Sequence, residues 1–274
     1  MILASPDVDP GLREVLHREG LDTIDGAFAY AGGRDLSKPD LEHRLRTRLV
    51  VEGPAGRTHE LYLKRYGWQR LRDCLWRLVR FAGTASPAWV EFRNIQAVRR
   101  AGIPTMREVI CGQEGGCCGA GRSYIIVTAV PGDALERCGE AFLRRHEDEP
   151  EVVEDFTRRL GGLVRSLHRA GLCHRDLYAS HVFLDERDGR ADLYLIDLAR
   201  AFRPRWRTFR WKVKDLAQLK HSMPPEWVAA WWEKFLSAYL GRDDEAAPHY
   251  NCAIDRKVAA MRRRRADKRG RSQG

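Results

Sequence analysis

The sequence predicts an α+β protein in two lobes, an antiparallel sheet with one key helix followed by a mainly helical half. Three observations predict it. Between residues 46 and 130, short runs rich in Val, Ile, Leu and Tyr are separated by turn residues, the pattern of paired strands. Pro131-Gly132 then breaks the chain. Past that break, apolar side chains at 152, 153, 156, 160, 163, 164 and 167 recur at a helical period, which Gly171 closes. A strand-rich half and a helical half imply two lobes with a cleft between them, a usual place for a ligand.

Each element follows in order. The first 45 residues show little periodicity, and "AYAGGRDLSKPD" reads as a turn-rich loop. "RTRLVVEG" and "HELYLKRY" are strands separated by the turn "GPAGRT". "WQRLRDCLWRLVRF" has apolar residues at 68, 71, 75, 78 and 79 with arginines between them, a basic amphipathic helix. "SPAWVEFRNIQAVRRAG" opens with Ser86 and Pro87 as helix-start signals and stops at Gly102. "TMREVICG" and "SYIIVTAV" are two further strands, joined by the loop "QEGGCCGAGR". After the long helix of 151–170, "HVFLD", the turn "ERDGR" and "DLYLID" form a hairpin. Everything beyond Arg200 reads as helical, and Trp227, Trp231 and Phe235 form a stripe assigned to the core. The lobes are expected at 1–131 and 132–255, with 256–274 as a basic, solvated and disordered tail.

Composition bounds the function. A chain of 274 residues with 43% hydrophobic and 31% charged residues suits a soluble globular enzyme and excludes global disorder. No run approaches the roughly 18–20 apolar residues that span a bilayer. The start "MILASPDVDPGLREVL" lacks a basic then apolar leader, so the cytoplasm is the expected compartment. The seven cysteines (74, 111, 117, 118, 138, 173 and 252) have neither a framework spacing nor a CxxC pair, and reduced thiols are expected. A net charge of +10 points to an anionic partner without choosing among nucleotide, nucleic acid, lipid surface and saccharide.

Four residues could carry chemistry. Lys64 lies in a strand with Tyr62 and Tyr66 on its face. Glu91 shares a helix face with Ile95 and Val98, where a carboxylate needs a cation, and Lys64 can supply it. Asp176 sits in the loop "HRDLYASHVFLD" between a long helix and a strand, and Asp197 ends the apolar strand "LYLID". A His-Arg-Asp triplet alone arises by chance often, whereas these four elements in this order do not. They match the parts of protein-kinase-like phosphoryl transfer: a lysine for the α- and β-phosphates, a glutamate to orient it, one aspartate to take the acceptor proton and one to carry Mg²⁺. The fold so implied is a two-lobed protein-kinase-like one.

The pattern departs from ordinary protein kinases at three places. Tyr178 stands where a lysine is usual, His181 where an asparagine is usual, and Asp197-Leu198-Ala199-Arg200 where Asp-Phe-Gly is usual. No Ala-Pro-Glu follows. In these respects "HRDLYASH", "LIDLARA", "YLKRY", "EFRNIQAVRRAGIPT" and "KDLAQL" resemble the lipopolysaccharide core kinases of the Kdo/WaaP family, which phosphorylate heptose or Kdo sugars of the inner core. The resemblance covers roughly residues 45 to 220. It implies that Lys64 and Glu91 hold ATP phosphates, Asp176 is the general base, Asp197 binds Mg²⁺, and Asp215 braces the catalytic loop. It leaves His181 on the metal or orienting Asp176 or a phosphate, and makes His174 and Arg175 loop scaffolding. Gly26, Gly32 and Gly33 compete with an ordinary turn for the role of phosphate-covering loop.

The expected protein is thus an ATP-dependent kinase using Mg²⁺, with the lipopolysaccharide core as its lipid-linked saccharide acceptor. It would be cytoplasmic and peripheral to the inner membrane. Basic residues 68–80 would either lie on an anionic leaflet or merely cover the first lobe, and no specific nucleic acid is expected. Two rivals stand beside it: a kinase of another acceptor, such as a small alcohol or a protein hydroxyl, and an inactive kinase-like scaffold.

Overall fold

A computed structural model describes residues 1–6, 8–36, 44–53, 56–68, 85–115, 121–187, 190–241 and 244–271, with backbone alone at 244 and 268–271. Beyond Trp68, the basic helix expected over 68–80 lies outside the described residues, as does the Cys117-Cys118 loop. The chain forms two compact units, residues 1–97 with 106–129, and residues 98–105 with 130–274.

The first unit is built on a six-stranded sheet whose pairs are all antiparallel. Its strands are β1 (Ile2–Ala4), β2 (Arg34–Asp35), β3 (Arg44–Glu52), β4 (Thr58–Tyr66), β5 (Glu108–Gln113) and β6 (Ser123–Thr128), in the order β1-β5-β6-β4-β3-β2. The N-terminal stretch that shows little periodicity supplies β1, α1 (Pro10–Arg18), α2 (Ile24–Ala29) and β2. These elements are too short for a periodic signal, but capping residues mark two of them: Asp9 accepts from the Gly11 amide and Thr23 from the Gly26 amide. Leu12, Val15 and Leu16 of α1 join Leu61 and Leu63 of β4 and Tyr124 and Ile126 of β6 in one buried cluster. Strand alternation then sends Lys64 to the opposite face of the sheet.

Helix α3 (Pro87–Arg100) begins where the sequence predicts: Ser86 Oγ accepts from the Trp89 amide at 3.2 Å. Its residues Glu91, Phe92, Ile95 and Val98 are fully or almost fully buried. Gly102, at φ +71°, takes the left-handed turn after the helix.

The second unit carries a small sheet, β7 (Asp133–Ala134), β8 (Val182–Arg187) and β9 (Arg190–Leu195), in that order. Around it lie α4 (Leu135–Arg145), α5 (Pro150–Arg169), α6 (Thr208–Ser222), α7 (Pro225–Leu240) and α8 (Ala247–Arg271). Gly161 of α5 lets this helix approach α7 closely, since a Cβ there would fall 2.8 Å from both the Phe235 carbonyl and the Ala238 side chain. Trp227 Nε1 donates to Thr157 Oγ1 across the same contact at 3.0 Å.

The core stripe of α7 differs from the expected one. Trp227 and Phe235 are fully buried, but Trp232 rather than Trp231 accompanies them. Trp231, at about 100° per residue some 40° from both Trp227 and Phe235, is only half-buried. Lys234 covers its ring. The run 256–271, expected as a disordered tail, is the continuation of α8. Ile254 and Val258 are buried on that helix, and the arginine-rich stretch that follows is compatible with helix by propensity.

Candidate functional site

In the first unit, β4 and α3 place Lys64 and Glu91 together. Lys64 Nζ donates to Glu91 Oε1 at 2.5 Å, and the Tyr66 hydroxyl donates to Glu91 Oε2 at 2.7 Å. Glu91 is fully buried and Lys64 nearly so. A carboxylate on the apolar face of a helix thus receives one cation and one hydroxyl, the pairing that burial of a charge requires.

Gly33 leads into β2 with φ +83°, and a Cβ there would fall 2.4 Å from the Arg48 carbonyl. Close approach to β3 therefore accounts for this glycine. Gly32 is exposed beside the Tyr30 ring, and Gly26 lies inside α2, pressed against the Gly20 carbonyl. Arg65 orders this region from the other face of β4. Its Nη1 donates to the Tyr30 carbonyl at 3.1 Å and its Nη2 to Thr47 Oγ1 at 2.7 Å.

In the second unit, the loop after α5 is fixed by a residue 40 positions away. Asp215 of α6, fully buried, accepts the His174 amide on Oδ2 at 2.7 Å and the Arg175 amide on Oδ1 at 2.8 Å. His168 Nε2 lies 3.2 Å from the same Oδ2, and its Nδ1 lies 2.9 Å from the Tyr239 hydroxyl. Lys214 donates to the Arg175 carbonyl. The Arg175 guanidinium lies over the rings of Phe202 and Trp211 at 5.3 and 5.6 Å. These contacts hold Arg175 at φ +72°, a left-handed backbone unusual for a side chain of its size. Cys173 and Phe202 exchange amide-to-carbonyl bonds of 2.9 and 3.0 Å, tying the loop to the segment after Asp197.

The groups around Asp176 follow from that frame. His174 is fully buried, and burial pushes its imidazole below the usual histidine range. Its Nε2 donates to the Ile196 carbonyl at 2.9 Å, next to Asp197. The His174 and His181 rings stack at 5.8 Å. His181 Nδ1 lies 2.7 Å from the Asp176 carbonyl, which can only accept, so Nδ1 carries the proton. In the neutral ring Nε2 then keeps its lone pair, 3.8 Å from Asp197 Oδ2. Asp197 itself has φ +56° at the turn that follows β9. Two electron-pair donors at this spacing suit a small cation bridged between them.

Arg200, three residues past Asp197, places Nη1 3.0 Å from Asp176 Oδ1 and 2.9 Å from Oδ2. It is absent from the residues that the sequence nominates, although it lies inside the quoted "LIDLARA". Its position on a short helical turn, Leu198–Arg200, is what brings it back to Asp176.

Other groups can be set aside. His168, Cys173 and Asp215 come close enough to share a metal ion, but both Asp215 oxygens already receive backbone amides. Burial also pushes the Cys173 thiol up to about 12, which keeps it protonated. The cluster is a brace for the loop. Burial raises the Cys111 thiol as well, so neither cysteine is a ready nucleophile.

A family model described as the lipopolysaccharide kinase (Kdo/WaaP) family matches residues 39–239. The chain is 31% identical over 137 residues to the lipopolysaccharide core heptose(I) kinase WaaP of Pseudomonas aeruginosa, covering 48% of this chain and 51% of that protein. It is 28% identical over 189 residues to the Escherichia coli protein of the same name, covering 67% and 69%. To the 3-deoxy-D-manno-octulosonic acid kinase of Haemophilus influenzae strain 86-028NP it is 25% identical over 159 residues, covering 58% and 62%. The chain therefore spans about half the length of the first of these relatives. A solved structure, WaaP in complex with acyl carrier protein, superposes with a TM-score of 0.68 over 95% of this chain and 99% of that one, at 22% identity. That likeness shows the fold, the protein-kinase-like α+β class that the sequence predicts.

Proposed function

The chain belongs to the lipopolysaccharide kinase (Kdo/WaaP) family, and from that premise we propose that it moves the γ-phosphate of ATP to a sugar hydroxyl, on heptose or Kdo, of the lipopolysaccharide inner core. One observation supports this reading above the others. In a loop braced by Asp215, Asp176 is held through its carbonyl by His181 and through its carboxylate by Arg200, while His181 turns a lone pair toward Asp197.

Each residue then has a task. Lys64, oriented by Glu91, neutralises the non-transferred phosphates. Asp197 and His181 would hold Mg²⁺, which when bound offsets phosphate charge. Asp176 orients the acceptor hydroxyl and takes its proton. Gly32 and Gly33 would lie over the phosphates. Because phosphoryl transfer depends mostly on position and charge neutralisation, rigid placement of these groups is itself the catalytic device.

An anionic acceptor fits the segment after Asp197. From Leu198 to Lys214 it has seven Lys or Arg residues and no Asp or Glu. Arg203, Arg205, Trp206, Arg207 and Arg210 are exposed along it. Among the described residues no helix is long and apolar enough to cross a membrane. A position on the cytoplasmic face of an anionic membrane would bring the enzyme to a lipid-anchored acceptor.

The test is transfer of label from ATP, with Mg²⁺, to a panel of inner-core saccharides, small alcohols and proteins. Mass increase by one phosphate on a core sugar, lost with Asp176→Asn by on the order of 10²–10⁴-fold, is the expected outcome. Label confined to protein or to small alcohols would refute the acceptor assignment. Undiminished transfer by Asp176→Asn would refute the assignment of the base.

A further inference from the structure

We infer that Arg200 is the positioning residue for Asp176, supplying from the metal-side turn the cation that meets the carboxylate of the catalytic loop. The inference rests on the proposed phosphoryl transfer and extends it to a residue that neither motif spacing nor family likeness assigns a task.

Three observations carry it. First, Arg200 Nη1 reaches both carboxylate oxygens of Asp176, at 3.0 and 2.9 Å, so rotation of the carboxylate is restrained. Second, the nearby groups that might replace it are committed elsewhere. Tyr178 stands where protein kinases have a lysine, and its ring meets His181 edge-on, with centroids 6.4 Å apart. Lys214, a cation close enough to influence Asp176, donates to the Arg175 carbonyl. Third, the contact closes a ring. Asp176 is held through its carbonyl by His181, His181 faces Asp197, and Asp197 leads through the Leu198–Arg200 turn back to the Asp176 carboxylate. The proton-accepting group and the proposed metal ligand are therefore set by one another's backbone.

The chemistry needs that restraint. As the acceptor oxygen forms its bond to Pγ and the bond from Pγ to the ADP oxygen breaks, the acceptor proton passes to an Asp176 oxygen and leaves later to water. The oxygen must present a lone pair to the hydroxyl at that moment. A carboxylate approached at both oxygens by one guanidinium nitrogen keeps its remaining lone pairs in restricted directions.

A mere surface ion pair leads to a different expectation. The Arg200 side chain is 55% exposed, so a structural role alone would leave both activity and stability little changed on its removal. The test uses full-length protein with Mg²⁺-ATP and deacylated inner-core saccharide. Arg200→Ala is expected to lower kcat on the order of 10²-fold, with KM for ATP nearly unchanged and a melting temperature within about 3 °C of wild type. Arg200→Lys should recover part of the loss, and free methylguanidinium should partly rescue the alanine variant. In an Asp176→Asn background, Arg200→Ala should cost nothing further. Wild-type kcat in Arg200→Ala, or an equal loss in the Asp176→Asn background, would overturn the inference while leaving the kinase reading intact. A wild-type protein without phosphate transfer would overturn both.

Discussion

At the scale of single residues, burial decides what each ionisable group can do. Glu91 is fully buried with Lys64 and Tyr66 as its partners. Removing one charge of a buried pair leaves the other uncompensated, so Glu91→Gln should lower unfolding free energy by about 3 kcal/mol in urea titrations. His174 yields a pH dependence. Its folded-state imidazole is pushed below its ordinary 6.5, chiefly by burial, while the unfolded chain binds a proton there at the ordinary value. The unfolded state then binds more protons, and stability falls as pH drops below about 6.5. His221, also lowered by burial, acts in the same direction. The slope of unfolding free energy between pH 7 and 5.5 should flatten in His174→Gln. An unchanged slope would show that His174 is not the group responsible.

At the scale of elements, two left-handed glycines separate conformational strain from collision. Gly132 precedes β7 at φ +78°, and a Cβ there would meet the Leu184 carbonyl oxygen at 2.0 Å. Gly102, after α3, has φ +71° with nothing within 4 Å of the same position. Gly102→Ala should therefore cost only the left-handed backbone term, about 1–2 kcal/mol. Gly132→Ala should cost more, because the β7–β8 pairing must also shift. Thermal melts of the two variants compare these directly, and equal losses would contradict the assigned collision. Element assignments show the same division. Helix α3 is legible because Ser86, Pro87 and Gly102 punctuate a 3.6-residue period. The short elements α1, α2 and β1 are not, since only packing against β4, β5 and β6 sustains them. Trp231 and Trp232 differ by one position, and period alone does not choose which is buried.

At the scale of the whole molecule, a net charge of +10 and the acid-free run from Leu198 to Lys214 favour an anionic acceptor through long-range attraction. Raising NaCl from 50 to 300 mM shortens the screening length to well below 10 Å. The KM for an inner-core saccharide should then rise several-fold while kcat holds. A salt-insensitive KM would argue that the acceptor is recognised by shape and neutral hydrogen bonds instead. The unit composition also matters here. Residues 98–105 belong with the second unit, where the Thr105 hydroxyl donates to the Leu195 carbonyl and the Leu195 amide to the Pro104 carbonyl. The segment after α3 thereby anchors the strand that leads to Asp197.

Sequence alone determined the α+β class, the helices α3 and α5, the hairpin before Asp197 and the nomination of Lys64, Glu91, Asp176, Asp197 and Asp215. Those are local facts, written in periodicity, punctuation and short motifs. Tertiary structure decided which oxygens of Asp215 receive which amides, which nitrogen of His181 keeps a lone pair, and that Arg200 grips Asp176. Such contacts join residues 5 to 41 positions apart through turns with left-handed backbone. No local pattern encodes them, because their geometry exists only once the helices and hairpin have packed.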